Sequence, residues 1–356
     1  MYTSKRIDFT GQDFFLGLDV HARRWKVTIR HNQMELKMFS MDPSPSVLAR
    51  NMERNYPGGQ YHSVYEAGFC GFWIHRALTE AGFENIVVHP ADVPTSHKEK
   101  DRKSVKVDSR KLARELEKNN LMAIYVPDEF HQQLRSLVRL RDRISGNNTR
   151  VKNRIKSYLY FNGIPIIAHS ECSHWSNNFI GWLEAQTFSS PAGTEYMRFC
   201  IDELRSHRRR LAHITRSLRT VSQDSGINDL IQLLLTIPGI GFVTAISYYA
   251  ELIDIDRFPN LNQLASFVGL VPSVSSSDTR ETDRGLTKRR NRYLRYLIIE
   301  AAWVAVRKDP VLLHTFNELT KRMKKQEAII RIAKKLLNRF RYVWRKGVPY
   351  CPGVVE

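Results

Sequence analysis

The chain has 356 residues, with 55 Lys and Arg against 36 Asp and Glu, a formal net charge of +19. That length accommodates two or three domains with real cores, and so basic a balance points to a polyanionic partner, of which nucleic acid is the commonest. No apolar run approaches a bilayer span and no segment has a signal-peptide pattern, so no membrane partner is expected and the location expected is cytoplasmic. The four cysteines, Cys70, Cys172, Cys200 and Cys351, are scattered without CxxC spacing. That pattern disfavours a zinc ribbon or a redox dithiol and fits reduced, structural thiols. His169, Cys172 and His174 are near enough in sequence to suggest a metal cluster, with nothing beyond spacing in favour.

Residues 14–20, Phe14-Phe15-Leu16-Gly17-Leu18-Asp19-Val20, read as an apolar strand broken by one carboxylate. Ionised carboxylates are seldom buried without a partner or a metal. Asp19 therefore either caps the turn into His21-Ala22-Arg23 or belongs to a site. Residues 25–30 and 35–39 read as two more strands, 46–54 as a helix, and 62–66 as a fourth strand ending in Glu66. A helix over 71–81, with Phe72, Ile74, Leu78 and Ala81 apolar, and a fifth strand over 86–89, closed by Pro90, complete the pattern. Three strands, helix, strand, helix, strand is a mixed α/β order, and it is the order of the ribonuclease-H-like nucleases. In that sheet the first and fourth strands are neighbours, which brings Asp19 to Glu66. Asp108, opening a helix over 109–119, is the third carboxylate of the group. Hard divalent ions need several oxygen ligands, and paired ions stabilise both oxygens of an in-line displacement at phosphorus.

Residues 91–107 form a basic loop suited to phosphates or to solvent. A long helix over 128–160 carries an apolar stripe (Leu134, Leu137, Leu140, Ile144, Val151, Ile155, Leu159) among arginines, of which Arg139, Arg143, Arg150 and Arg154 are candidate nucleic-acid contacts. With a second basic helix over 194–221 it suggests an antiparallel coiled-coil arm; residues 161–190 between them give no clear reading. In Ile237-Pro238-Gly239-Ile240-Gly241, a turn between two helices has the pattern of a helix-hairpin-helix, whose glycines let backbone amides approach a phosphate. A plain helix connector is the alternative. Ser277 lies in a serine-rich loop, either a flexible connector or a nucleophile; no nearby His supplies a base, so activation would fall to a metal. Lys288 and Arg289 lead into an apolar helix over 294–306, and a strongly basic helix over 319–346 ends the chain. The domains expected are 1–125, 126–225 and 226–356.

Taken in order, Gly17-Leu18-Asp19-Val20-His21, Tyr65-Glu66-Ala67-Gly68, Val107-Asp108-Ser109-Arg110-Lys111-Leu112-Ala113, Ile237-Pro238-Gly239-Ile240-Gly241 with Thr244-Ala245, Gly269-Leu270-Val271-Pro272 with Ser276-Ser277, and Lys288-Arg289 with Asn291 and Leu294-Arg295 form one series. On these motifs the chain resembles the DEDD transposases of the insertion-sequence family numbered one hundred and ten, the bridge-RNA-guided recombinases. The resemblance implies a RuvC-like ribonuclease-H-fold domain, a coiled-coil arm and a mostly α transposase domain. It makes Asp19, Glu66 and Asp108 magnesium ligands, with manganese as a substitute, and Ser277 a nucleophile that forms a phosphoserine link to DNA. It further implies a tetramer, a dimer of dimers, in which the RuvC-like domain of one protomer completes the serine site of another. A structured guide (bridge) RNA would pair with donor and target DNA, so that base pairing chooses sequence.

Two positions depart from the family. Its third carboxylate is here Val105; Asp101 is a stand-in only if residues 101–107 are not helical, since a continuous helix would put it about 10 Å away along the axis. Asp278 stands where the family has glycine after the serine, and Ser276 is the alternative nucleophile. Two rivals stay open: a RuvC-like metal-dependent nuclease hydrolysing branched DNA, and a nucleic-acid-binding homologue with impaired catalysis.

Overall fold

The computed structural model describes residues 8–94, 105–277, 280–286 and 291–353, with the backbone alone at 105–108, 272–277 and 280–286. It divides into two compact units, Met1–Val126 and Pro127–Glu356.

In the first unit, β1 (Asp13–Val20), β2 (Trp25–His31) and β3 (Met34–Met41) form an antiparallel meander. Helix α1 (Pro45–Asn55) follows, capped by the Ser44 side chain, which accepts from the Val47 amide. Strand β4 (Gln60–Glu66) then lies parallel to β1, and β5 (Glu84–Val88), reached through α2 (Trp73–Glu80), lies parallel to β4. The sheet order is β3-β2-β1-β4-β5, so β1 is central and must bury both faces. Its even residues Phe14, Leu16 and Leu18 pack with Ile74 and Leu78 in one core. The odd ones point to the other face, where α3 (Val105–Glu117) lies.

Gly17 is what lets α3 approach. A Cβ there would stand 2.0 Å from the Ser109 carbonyl oxygen and 2.5 Å from the Ala113 nitrogen, both backbone atoms. Beside it the buried Thr28 and Ser109 hydroxyls are hydrogen-bonded at 2.9 Å. Gly17→Ala is therefore expected to lower stability by about 1–3 kcal/mol, the usual cost of overfilling a packed interior. A thermal melt checks this, and an unchanged midpoint would disprove the close packing.

The second unit is helical. Helices α4 (Glu129–Phe161) and α6 (Pro191–Asp224) pair along their length. Val151, Ile155 and Leu159 pack with Met197, Ile201 and Leu204, and Arg141 reaches Thr215 at 3.0 Å, so the pair is antiparallel. The stretch without a clear sequence reading contains a short helix, α5 (Asn177–Glu184), whose Phe179, Ile180 and Leu183 join this core. A larger core gathers α7 (Asn228–Leu235), α8 (Phe242–Leu252), α9 (Leu261–Val268), α10 (Arg292–Lys308), α11 (Pro310–Thr320) and α12 (Lys325–Lys346).

Two expectations are corrected here. The helix expected over 319–346 is two: α11 ends at Thr320, the polar Lys321-Arg322 turn closes on the Leu319 carbonyl, and α12 begins at Lys325. The serine-rich stretch is no open loop, for β6 (Pro272–Ser277) pairs antiparallel with β7 (Arg280–Leu286). Among the described residues no helix is long and apolar enough to cross a membrane.

Candidate active site

Leu18 and Tyr65 are the last paired residues of β1 and β4, so Asp19 and Glu66 come next, side by side at the carboxyl ends of two parallel strands. Open α/β sheets bind ligands at such ends, where strand order reverses. β1 is that point here, with parallel β4 on one side and antiparallel β2 on the other. Strand alternation puts Asp19 on the face of Gly17 and Glu66 on that of Val64, which packs with Leu112 of α3. Both carboxylates line a cleft of about 340 Å³ with His21, Phe69, Cys70 and Leu112.

Asp19 is largely buried, its side chain 13% exposed, and its Oδ1 lies 3.2 Å from Nε2 of the more open His21. The Tyr65 hydroxyl donates to the Gly71 carbonyl at 3.0 Å and the Ala67 amide to the Val88 carbonyl at 2.8 Å, which together fix the turn after Glu66. Burial pushes the Cys70 thiol and the Tyr65 phenol above their usual ranges. Neither is therefore the anion a nucleophile needs at neutral pH, and Cys70 is a wall of the cleft.

Asp108 lies in the first turn of α3 instead of ahead of it, because the helix begins at Val105. It directly precedes Ser109, whose carbonyl abuts Gly17, and stands one turn before Leu112 of the cleft. Its side chain, and the whole of Asp101, lie outside the described residues, whereas 105–107 are helical. Of the three carboxylates, then, two side chains meet in the cleft, and the third belongs to the helix that walls it. His21 and Gly17 were visible only as motif letters; the signal for His21 is its place two residues after a carboxylate at a strand end.

The donors fit a hard divalent cation: carboxylate oxygens that share a cleft whose one thiol, Cys70, burial holds in its neutral form. Among the described residues, which do not include the Asp108 side chain, no three His, Cys, Asp or Glu stand close enough to hold a metal. His169, Cys172 and His174 therefore form no such cluster. The Cys172 sulfur sits by the Ser176 hydroxyl, and the two imidazoles meet edge-on.

In the second unit Ser277 ends β6, paired with Arg280 of β7. Asp278, Lys288 and Arg289 fall outside the described residues. Gly239 has φ +86, and a Cβ on it would stand 2.2 Å from the Ala301 carbonyl oxygen, so its freedom serves packing on α10. Gly241, at the start of α8, faces open space. Arg139 grips the buried Glu251 through two bonds of 2.6 and 2.9 Å. Arg154 pairs with Glu203 at 2.7 Å, and Arg150 donates to the Asn147 side chain at 2.7 Å. Arg143 is exposed, with no polar partner among the described residues.

A DEDD-type transposase profile of the IS110 kind matches residues 16–162, and the profile described as transposase IS116/IS110/IS902 family matches 231–317. Each covers the part of the chain where the geometry places the corresponding carboxylates or serine hairpin. The chain belongs to the IS110 family of DEDD transposases. Family members are enzymes of DNA transposition.

The relatives agree. The y4rJ protein of Sinorhizobium fredii is 27% identical over 94% of this chain and 92% of its own length. The y4qE protein of the same organism is 30% identical over 67% of this chain, and the match spans only 57% of that relative's length. The transposase for insertion sequence element IS1111A of Coxiella burnetii is 26% identical over 68% of this chain and 65% of its own. In the IS110 family the N-terminal mixed α/β sheet is a RuvC/RNase H-like domain, and domains of this kind typically depend on a divalent metal.

Proposed function

We propose that this chain is the RNA-guided DNA recombinase of an insertion sequence, cutting and rejoining donor and target strands through a covalent link to Ser277. The observation that carries the reading is the meeting of Asp19 and Glu66 at adjacent strand ends, in a cleft roomy enough for a phosphodiester. Asp19, Glu66 and Asp108 would hold magnesium, or manganese in its place, and a divalent ion there supplies Lewis-acid stabilisation of charge on phosphoryl oxygens.

The chain's own residues do the rest. His21 orients the Asp19 carboxylate through their 3.2 Å contact, while Phe69 and Leu112 wall the cleft with apolar surface. The Ser277 hydroxyl gives up its proton as its oxygen attacks the scissile phosphorus. One P–O bond of DNA breaks as the Ser–O–P bond forms, and a DNA hydroxyl leaves. A second DNA hydroxyl then attacks the phosphoserine, which restores serine and keeps the strand count unchanged. The antiparallel helix pair serves as a coiled-coil arm, and Arg143, Lys288, Arg289 and the open Gly241 at the start of α8 contact phosphate. A tetramer built as a dimer of dimers joins carboxylates and serine from different protomers, a structured guide RNA pairs with both DNAs, and the work is cytoplasmic.

The test is to mix the protein with the element's RNA, donor and target DNA, then denature. Wild type is expected to leave a protein–DNA adduct that Ser277→Ala lacks and Ser276→Ala retains. Recombinants persisting in Ser277→Ala would sink the serine step. Cleavage without any adduct would establish the hydrolytic nuclease instead, and binding without cleavage the impaired homologue.

A further inference from the structure

Where α5 packs on the long helix pair, a cluster of positive charge lies outside the catalytic reading. Trp175, just ahead of α5, has φ +68, a left-handed backbone that bulky side chains adopt only under restraint. Two contacts supply that restraint. Arg208 of α6 donates a guanidinium N–H to the Trp175 carbonyl, and the adjoining Ser176 caps α5, accepting from the Phe179 amide at 3.1 Å. Held in this way, the indole collects two ammonium groups from α4: Lys152 Nζ at 5.3 Å and Lys156 Nζ at 5.8 Å from its ring centroid, both within cation–π range.

Three cations from two helices thus converge on one residue, and among the described residues none of the three is ion-paired with a carboxylate. Of the acids nearby, Glu203 is engaged with Arg154 and His207 and Glu184 with Arg205, while Asp202 is exposed and pairs with none of the three cations. Burial first, then the Arg208 and Lys156 charges, push the Lys152 ammonium below the usual lysine range. No acid offsets that push. A merely solvated face would let its lysines splay into water. Here they are gathered against their mutual repulsion, an arrangement that an anion completes.

We infer that Lys152, Lys156 and Arg208, gathered on Trp175, form a seat for the phosphodiester backbone of nucleic acid, independent of its sequence. This rests on the reading that the chain acts on DNA and RNA, and adds a site remote in sequence from the carboxylates and the serine hairpin. Ammonium groups are point-charge phosphate ligands, and the guanidinium adds a directional one. Duplex DNA, single-stranded DNA and an RNA hairpin all present this chemistry, so the experiment separates them.

Labelled probes of these three kinds are titrated against the full chain over a range of salt. Lys152→Gln/Lys156→Gln is expected to shrink the slope of log K against log salt by about 1.8 on duplex or about 1.4 on a single strand, with roughly tenfold weaker binding. The probe whose slope moves identifies the source. Arg208→Gln should shrink the slope by about 0.9 and carries the test if the lysine variant does not fold. Arg198→Gln/Arg216→Gln, an equal charge loss elsewhere on α6, should leave the slope near wild type. An unchanged slope in the lysine variant, or an equal fall in this control, overturns the seat. Failure of wild type to bind any probe overturns instead the reading on which the seat rests.

Discussion

Asp19→Asn is expected to reduce strand cleavage below about one-thousandth of the wild-type rate, a loss of ~4 kcal/mol in transition-state stabilisation, while the fold and DNA affinity persist. The substitution is nearly isosteric and keeps the β1 backbone pairing, since Asp19 sits opposite Lys26 in an intact antiparallel ladder. An amide also retains an oxygen toward His21. What disappears is the negative charge of a largely buried group in the cleft it shares with Glu66. Hydrolysis or transesterification at phosphorus needs charge stabilisation at the reacting oxygens, and a neutral amide binds a hard divalent ion far less well than a carboxylate. A second readout is independent of turnover. Magnesium should raise the melting midpoint of wild type, by binding the native state alone, and should not raise that of Asp19→Asn. Cleavage within tenfold of wild type, together with an unaltered magnesium response, would remove Asp19 from the site.

Asp19 and Glu66 were legible because a central strand has no structural use for a carboxylate, and because element order alone made β1 and β4 neighbours. Their depth, their shared cleft and the approach of α3 were not legible, since Gly17 declares its purpose only against Ser109 and Ala113. Gly239 illustrates the same limit in reverse. Its motif suggests approach to a phosphate, yet its closest approach is to the Ala301 carbonyl, a partner that local sequence cannot name. The serine hairpin escaped reading because Ser273-Val274-Ser275-Ser276-Ser277 lacks the apolar–polar alternation by which a strand shows itself. The break at Lys321 was hidden by apolar positions that continue in near-helical step on both sides of it. Arginine stripes are equally mute about commitment. Arg139 and Arg143 look alike in sequence, but one is bonded to a buried carboxylate and the other faces solvent.

That carboxylate gives the largest expected effect on stability. Glu251, 2% exposed, accepts the two Arg139 bonds and a third from the Asn291 amide at 3.0 Å, with Arg135 3.6 Å away. Asn291 in turn caps α10, accepting from the Leu294 amide at 3.1 Å, and its own amide donates to the Phe267 carbonyl. One side chain on α8 therefore joins α4, the end of α9 and the start of α10. Glu251→Ala would strand a guanidinium and an amide in a space built for their acceptor. Breaking one side of a buried pair costs about 3–5 kcal/mol. Arg139 keeps roughly half its surface in water, which places the expected loss near 3 kcal/mol and the fall in melting midpoint near 6–12 °C for a unit of this size. The pair itself need not be stabilising, since apolar replacement of both partners is often neutral. Glu251→Met/Arg139→Met should therefore recover much of the loss, while Asn291 still caps α10. Hydrogen exchange should show the first turn of α10 opening in Glu251→Ala more than α12 does. A Glu251→Ala midpoint within about 1 °C of wild type would mean that water replaces the carboxylate without cost, and that the join between these helices lies elsewhere.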